Sequence, residues 1–293
     1  LAAGKGVTVC SSIEEALGAL HALLEEDVLG ESGHSVLIEE CISGREVSVL
    51  ALCDGTRAVP FVSAMDHKRI GEGDTGPNTG GMGVIAPNPF FTDEYRSDFE
   101  QNVLAPTLAG LAEDGLDFRG VMFFGLMLHG GKCYLLEYNV RFGDPETQAV
   151  LPLLDEDLLP LLRDTAEGRL EDRELDCLSG AACNVVMASG GYPGRYEKGL
   201  PIEFDGDLTR KRGAGDEDTP VFFAGAELRG DTYYTSGGRV LSVTGLGPDL
   251  RSAREKAYAA LEHIRFEGCY YRRDIGESGV PAGEAETRPA GET

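Results

Sequence analysis

From Leu136 to Arg141 the run Leu135-Leu136-Glu137-Tyr138-Asn139-Val140-Arg141-Phe142-Gly143-Asp144-Pro145-Glu146-Thr147-Gln148 alternates apolar and polar side chains. Successive side chains of a strand point to opposite faces, so Glu137, Asn139 and Arg141 are expected to project together, with Leu136, Tyr138 and Val140 packed behind. A carboxylate and an amide oxygen two residues apart are hard donors of the kind Mg²⁺ takes, few in number and completed by phosphate oxygens. An arginine beside them neutralises charge on a transferring phosphoryl group. The same residues also describe a plain edge strand with a polar face and an Arg–Glu pair, and on their own they leave both readings open.

Three other groups carry possible chemistry. In Ala3-Gly4-Lys5-Gly6-Val7, glycines let the backbone approach a phosphate and Lys5 supplies a point charge. Lys5 is followed by Gly6 and not by Ser or Thr, so this is no Walker loop, and an ordinary glycine turn with a surface lysine fits as well. Ile38-Glu39-Glu40-Cys41-Ile42, followed by Gly44-Arg45-Glu46, could grip a purine with backbone groups and a ribose with a carboxylate; a solvated acidic turn has the same composition. Residues 66–83 are glycine-rich and polar, opening with Asp66, His67, Lys68 and Arg69 and continuing through Asp74, Thr75, Asn78, Thr79 and Gly80. A loop this long is functional or disordered, and it could bind a small zwitterion or a phosphate. His67 reads as structural or solvated. Gly71, Gly73 and Gly76 match G-x-G-x-x-G but are followed by Pro77, so the dinucleotide fingerprint is rejected.

The elements that must position these groups follow from periodicity. Ser11 and Ser12 stand at capping-box spacing from Glu14 and Glu15, and helical spacing from Ile13 to Leu24 predicts an amphipathic helix over about 12–26. Strands are predicted at 35–40 and 46–53, a helix over 92–113, and a hairpin of 121–128 with 132–141 around His129-Gly130-Gly131. Helical segments are expected within 146–168. A polar stretch near 170–180 suggests a boundary. Beyond it strands are expected at 182–188, 221–228 and 239–244, then a helix over 249–264 with Leu250, Ala253, Ala257, Leu261 and Ile264 on one face. Residues 277–293 read as a disordered tail.

The chain has 293 residues and a formal net charge of -24, from 50 acidic and 26 basic residues. Such a charge argues against a broad nucleic-acid surface. Most basic residues are arginine, and acid-rich, lysine-poor surfaces suit either concentrated salt or simply an acidic cytosolic protein. No apolar run reaches the roughly 18 residues needed to span a bilayer. The 7 cysteines have no metal-ligand spacing and read as reduced thiols, with Cys10, Cys41, Cys53 and Cys133 as core fillers. A cytoplasmic monomer with no membrane or nucleic-acid partner is expected.

Taken together the motifs resemble the phosphoribosylamine–glycine ligase family of ATP-grasp enzymes. The resemblance rests on Arg141 to Gln148, on Asp66-His67-Lys68-Arg69 with Asp74 to Gly83, on Leu1 to Val7, on Gly190 to Gly194, on Ser236 to Leu241 and on Arg272 to Gly276, in the expected order. It implies an α+β fold: an ATP-grasp core, incomplete at its N-terminus, with a small β-rich C-terminal domain. The implied divisions are 1–65 as part of the nucleotide-binding lobe, 66–175 as the catalytic lobe with the metal site, and 176–276 as the C-terminal domain. It implies that Gly4, Lys5 and Gly6 touch ATP phosphates, Glu39, Glu40, Cys41 and Ile42 hold adenine, Glu46 the ribose, and Glu137 and Asn139 a Mg²⁺ or Mn²⁺ ion. Arg141 and Lys5 would carry catalysis; Asp66, Lys68, Asp74, Asn78, Thr79, Gly80 and Asp144 would meet glycine and 5-phosphoribosylamine. The implied reaction joins these two through glycyl phosphate, with ATP cleaved to ADP and phosphate. The family's N-terminal α/β domain would precede Leu1, so the chain reads as truncated. The competing readings are another ATP-grasp ligase or carboxylase, and a nucleotide-binding remnant without catalysis.

Overall fold

A computed structural model describes residues 7–26, 28, 30–33, 35–205 and 219–280. The chain divides into two compact units, Leu1–Gly44 and Arg45–Thr293.

The first unit holds helix α1 (Ile13–Leu24). The Ser12 hydroxyl accepts from the Glu15 backbone N–H at 3.2 Å, and the Glu15 carboxylate reaches back to the Ser11 N–H at 2.7 Å. This is the expected capping exchange, with the returning carboxylate landing one residue before the cap. The strand expected at 35–40 is absent. Leu37 and Ile38 are 79% and 77% exposed, and the unit's described residues contain no strand for them to pair with. Apolar character supplies a strand's side chains; the ladder needs a second edge.

In the second unit the chain runs through β1 (Arg45–Asp54), β2 (Ala58–Pro60), β3 (Met65–Asp66), β4 (Arg69–Gly71), β5 (Thr75–Asn78) and β6 (Gly83–Ala86). Helices α2 (Asp93–Phe99) and α3 (Ala105–Glu113) follow, then β7 (Arg119–His129), β8 (Lys132–Asn139), α4 (Thr147–Val150) and α5 (Leu158–Glu167). The last third holds β9 (Ala181–Ala188), β10 (Pro201–Phe204), β11 (Val221–Phe223), β12 (Ala226–Arg229), β13 (Thr232–Thr235), β14 (Arg239–Gly247), α6 (Leu250–Leu261) and β15 (Ile264–Arg265).

Helices α2 and α3 are one continuous helix, as expected over 92–113, joined by a π turn at Glu100–Leu104. Pro106 comes two residues after its end; a proline has no N–H to give and its ring crowds the preceding turn, which the wider turn relieves.

The first sheet has the order β2-β1-β7-β8, all antiparallel. Strands β7 and β8 form the expected hairpin. Its two turn residues, Gly130 and Gly131, have φ of 58° and 77°, the combination that a two-residue turn matched to strand twist requires. Leu50, Leu52, Val121 and Phe123 lie on one face of this sheet and pack towards α5; Val49, Ala51, Met122 and Phe124 lie on the other and pack with Phe99 and Val103 of the long helix.

The central sheet has the order β11-β14-β9-β6-β3, and a smaller one the order β12-β13-β10-β15. Every residue of β9 is buried, which fits a strand at the middle of a sheet covered by α6. The single strand expected over 221–228 is two. Gly225 breaks it by packing backbone to backbone on Gly237, so β11 enters the central sheet and β12 the smaller one. The expected tail begins inside an ordered 3-10 turn at Glu277–Gly279, and from residue 281 it lies outside the described residues.

Strand pairing does not follow the division expected at 65/66. Residues 45–60 pair with 119–139, and residues 65–66 and 83–86 share a sheet with 181–188 and 239–247.

Candidate active site

One row across the first sheet places the polar groups. Ser48 stands opposite Gly125, and Gly125 opposite Glu137. A side chain at Gly125 would start 3.0 Å from Glu137 Cγ, so the glycine leaves Glu137 room to lie along the sheet. Glu46 and Ser48 of β1 therefore share a face with Glu137 and Asn139 of β8, and this polar end continues the apolar face of Leu50, Leu52 and Phe123. The Asn139 amide N–H donates to Glu137 Oε1 at 3.2 Å. Its carbonyl oxygen and the second Glu137 oxygen remain as acceptors.

The alternation read from sequence holds for Glu137 and Asn139 and fails around them. Between the pairs Gly125–Glu137 and Leu126–Leu135 the register shifts, and Leu136 is the extra residue of a bulge, 40% exposed. Tyr138 does pack behind, edge-on to Phe124 with its hydroxyl 2.7 Å from that of Thr107, whereas Val140 is 66% exposed. Arg141 lies past the end of β8 and donates to the Phe142 carbonyl at 2.9 Å.

Opposite this row stands the start of the glycine-rich loop. Lys68 Nζ donates to Glu46 and its charge is felt by Asp66 and Glu146. Burial works against the Lys68 charge, yet the Glu46 carboxylate and its neighbours outweigh it and hold the ammonium above its ordinary range. Glu146 is buried, within 3.4 Å of the Ser48 hydroxyl, and burial pushes its carboxyl up against the pull of Lys68 and Arg141. Asp66 is pushed well up, first by burial and next by the charge of Glu146. Its Oδ1 is sealed from solvent with no hydrogen-bond partner among the described residues.

The rest of the loop is fixed by bonds of its own. Thr79 Oγ1 donates to the Lys68 carbonyl and accepts from the Gly81 N–H. The Gly80 N–H donates to the Tyr192 hydroxyl at 3.0 Å. Asn78 is exposed at the end of the β4–β5 hairpin, opposite Arg69. Asp74 accepts from Arg272 at 2.8 Å, and Arg272, only 1% exposed, also grips Asp274 with two N–H groups. Asp74 thus anchors the loop in this structure. His67 is buried and spends both ring nitrogens on backbone: Nδ1 donates to the Gly83 carbonyl and Nε2 accepts from the Gly276 N–H, which fixes a neutral ring. Burial and the nearby Arg272 lower its proton affinity. Its structural role was legible in the sequence.

Asp144 is exposed and accepts from the Gln148 amide and from Arg239. Glu39, Glu40 and Cys41 are exposed and Ile42 half-buried, in a stretch of the Leu1–Gly44 unit without helix or strand. Gly4, Lys5 and Gly6 lie outside the described residues. Sequence reasoning assigned no role to Ser48, Gly125, Glu146 or Arg239. Ser48 carried a signal, a lone hydroxyl inside the apolar run of β1; Gly125 acquires its meaning only from strand register.

Known proteins give the fold a class. The phosphoribosylglycinamide synthetase ATP-grasp (A) domain matches residues 1–147, and the C domain of the same synthetase matches residues 182–278. With its mixed helices and antiparallel sheets, the chain is an α+β protein of the ATP-grasp class. More particularly, it belongs to the phosphoribosylglycinamide synthetase family.

The phosphoribosylamine–glycine ligase of Fusobacterium nucleatum is 46% identical over 281 residues, which cover 96% of this chain and 65% of that protein. The ligase of Chlorobaculum tepidum is 49% identical over 276 residues, 94% of this chain and 64% of its own length. The crystal structure of the Thermotoga maritima ligase superposes with a TM-score of 0.80 at 36% identity, covering 94% of this chain and 66% of that one. A biotin carboxylase domain from Hydrogenobacter thermophilus shares the fold alone, with a TM-score of 0.63 at 17% identity over 91% of this chain and 55% of its own. The chain thus spans about 65% of the length of the curated relatives it matches.

Proposed function

We propose that this chain is the ATP-grasp and C-terminal part of a phosphoribosylamine–glycine ligase, which joins glycine to 5-phosphoribosylamine with cleavage of ATP. The observation that carries the reading is the Glu137–Asn139 pair on one face with Glu46, next to Lys68 and the buried carboxyls Asp66 and Glu146. Two oxygen donors suit a cation that takes one or two protein ligands and completes its shell with phosphate oxygens and water. Mg²⁺ or Mn²⁺ held there neutralises charge on ATP phosphates. Lys5, with Gly4 and Gly6, serves the phosphates, Glu39 to Ile42 the adenine and Glu46 the ribose, while Arg141 adds a second positive charge beside Glu146.

A glycine carboxylate is a poor acyl donor because its oxygen leaves badly. Phosphorylation gives glycyl phosphate, from which the amine of phosphoribosylamine displaces phosphate. The protein's contribution is positioning and charge neutralisation. Asp66, Lys68, Thr79, Gly80 and Asp144 form the glycine and phosphoribosylamine side, with Asp74 and Asn78 supporting the loop. In this reading residues 176–276 make the C-terminal domain of a cytoplasmic monomer.

The test is ADP release with Mg²⁺, glycine and freshly made phosphoribosylamine, on a chain extended to the relatives' full length. Release that needs both co-substrates is the expected result. Release indifferent to glycine would overturn the assignment.

A further inference from the structure

Arg239 stands at the first residue of β14, far in sequence from both the glycine-rich loop and the Asp144 turn, yet it joins them. Its Nη1 donates to the Gly80 carbonyl at 2.6 Å and to the Asp144 carbonyl at 2.7 Å, and its Nη2 lies 3.3 Å from the Asp144 carboxylate. The guanidinium lies against Gly80 so closely that a Cβ there would stand 2.9 Å from Cζ. The N–H of the same glycine donates to the Tyr192 hydroxyl. The next residue, Gly81, has φ of 108°, and a Cβ on it would meet Asp66 Oδ1 at 2.6 Å and Pro145 Cδ at 2.5 Å. The Gly80–Gly81 step is therefore wedged between Arg239, the Asp144-Pro145 turn and the sealed oxygen of Asp66.

We propose that Arg239 is a positioning residue for the glycine and phosphoribosylamine side of the site: it locks the Gly80–Gly81 step onto the Asp144-Pro145 turn and so fixes where Asp66 stands. The proposal rests on the ligase reading for its kinetic consequence and on the geometry alone for its structural one. A planar guanidinium presents the N–H groups of two nitrogens to two carbonyls and a carboxylate at fixed angles, which a lysine ammonium cannot reproduce. Against burial and the charges of Glu146 and Glu46, the charges of Lys68 and then Arg239 favour the ionised form of Asp66.

The hydrogen bonds and ion pair of Arg239 go to Gly80 and Asp144 and not to Glu46, Glu137 or Asn139, so its loss should move one side of the site and leave the nucleotide side in place. The experiment has two arms. In the first, hydrogen exchange is followed in this chain on peptides covering residues 78–83, 142–148 and 45–54, for the parent, Arg239→Gln and Arg239→Lys. Faster exchange in the first two peptides together, with 45–54 unchanged, is expected for Arg239→Gln, and a smaller change for Arg239→Lys. Acceleration of all three, or of neither of the first two, would overturn the lock.

In the second arm, steady-state kinetics are measured on the chain extended to the relatives' full length. Arg239→Gln should raise the KM for glycine or phosphoribosylamine about tenfold, with the KM for ATP unchanged within about twofold, and Arg239→Lys should recover part of the loss. A rise in all KM values together, or a fall in active fraction alone, would make Arg239 a stability residue and end the proposal. A parent chain that releases no ADP brings down the ligase reading, and the exchange arm then decides the lock by itself.

Discussion

Gly81 has no side chain because the space for one is already taken by Asp66 and Pro145, and its φ of 108° disfavours any L-residue there. Gly81→Ala should cost about 2 kcal/mol, read as a lower denaturant midpoint; an unchanged midpoint would mean the turn relaxes freely. Glu137 behaves differently, since its side chain is exposed and bonds to the Asn139 amide. Glu137→Ala is expected to leave stability within about 0.5 kcal/mol while lowering turnover of the extended chain by about 10² or more. Undiminished Mg²⁺-dependent turnover would remove it from the metal site. His67 gives a pH signature. Its folded-state proton affinity is depressed, so the unfolded chain binds more protons and stability falls as pH drops through about 6.5. Asp66 and Glu146 act in the opposite sense: their raised proton affinities contribute stability at low pH that is lost as pH rises through their folded values. Melting temperatures of the parent and His67→Gln, compared between about pH 7.5 and about pH 5.5, separate the two. The parent should lose more on acidification than the variant; parallel curves would count against the neutral, doubly bonded ring. Among these residues the shared face of Glu137 and Asn139 was legible because strand alternation is local. Glu146 and Arg239 were not, because their roles depend on which distant segments meet them.

The β4–β5 hairpin is tied by polar bonds to residues 270–274, while Ile70 packs against the core. Tyr270 donates to the Ile70 carbonyl, Arg272 to the Arg69 carbonyl and Asp74, Arg273 N–H to Glu72, and Asp274 accepts from the Gly73 N–H. Arg272→Met should cost about 3 kcal/mol, because two carboxylates lose their shared partner, and should speed amide exchange across residues 69–78. A hairpin as protected as in the parent would show that the other bonds suffice. Legibility at this scale depended on where an element's partner lies. The β7–β8 hairpin could be read because its turn glycines and both strands are adjacent in sequence. The long helix could be read from its periodicity, though not the π turn that accommodates Pro106. Residues 35–40 and 221–228 carried strand composition, yet the first has no ladder among the described residues and the second is cut by the contact of Gly225 with Gly237.

Across the whole molecule, a net charge of -24 sets many like charges against one another. Raising ionic strength from about 0.1 M to about 1 M shortens the screening length from about 10 Å to about 3 Å, so the melting temperature should rise with salt. A flat or falling curve would mean that surface ion pairs outweigh the repulsion. No helix among the described residues is long and apolar enough to cross a membrane. The α+β class was implied by the family resemblance that the motifs carry; the sheet that welds residues 65–86 to residues 181–247 was not legible, since neither segment signals its partner. That weld has a consequence for the order of events on the ribosome. Strand β6 is made about a hundred residues before β9, the strand it must join. Until β9 emerges, Asp66 and the loop behind it have no sheet to stand on, and closing so long a span is slow. The nascent chain therefore carries an unfinished candidate site until residues 181–188 have been made.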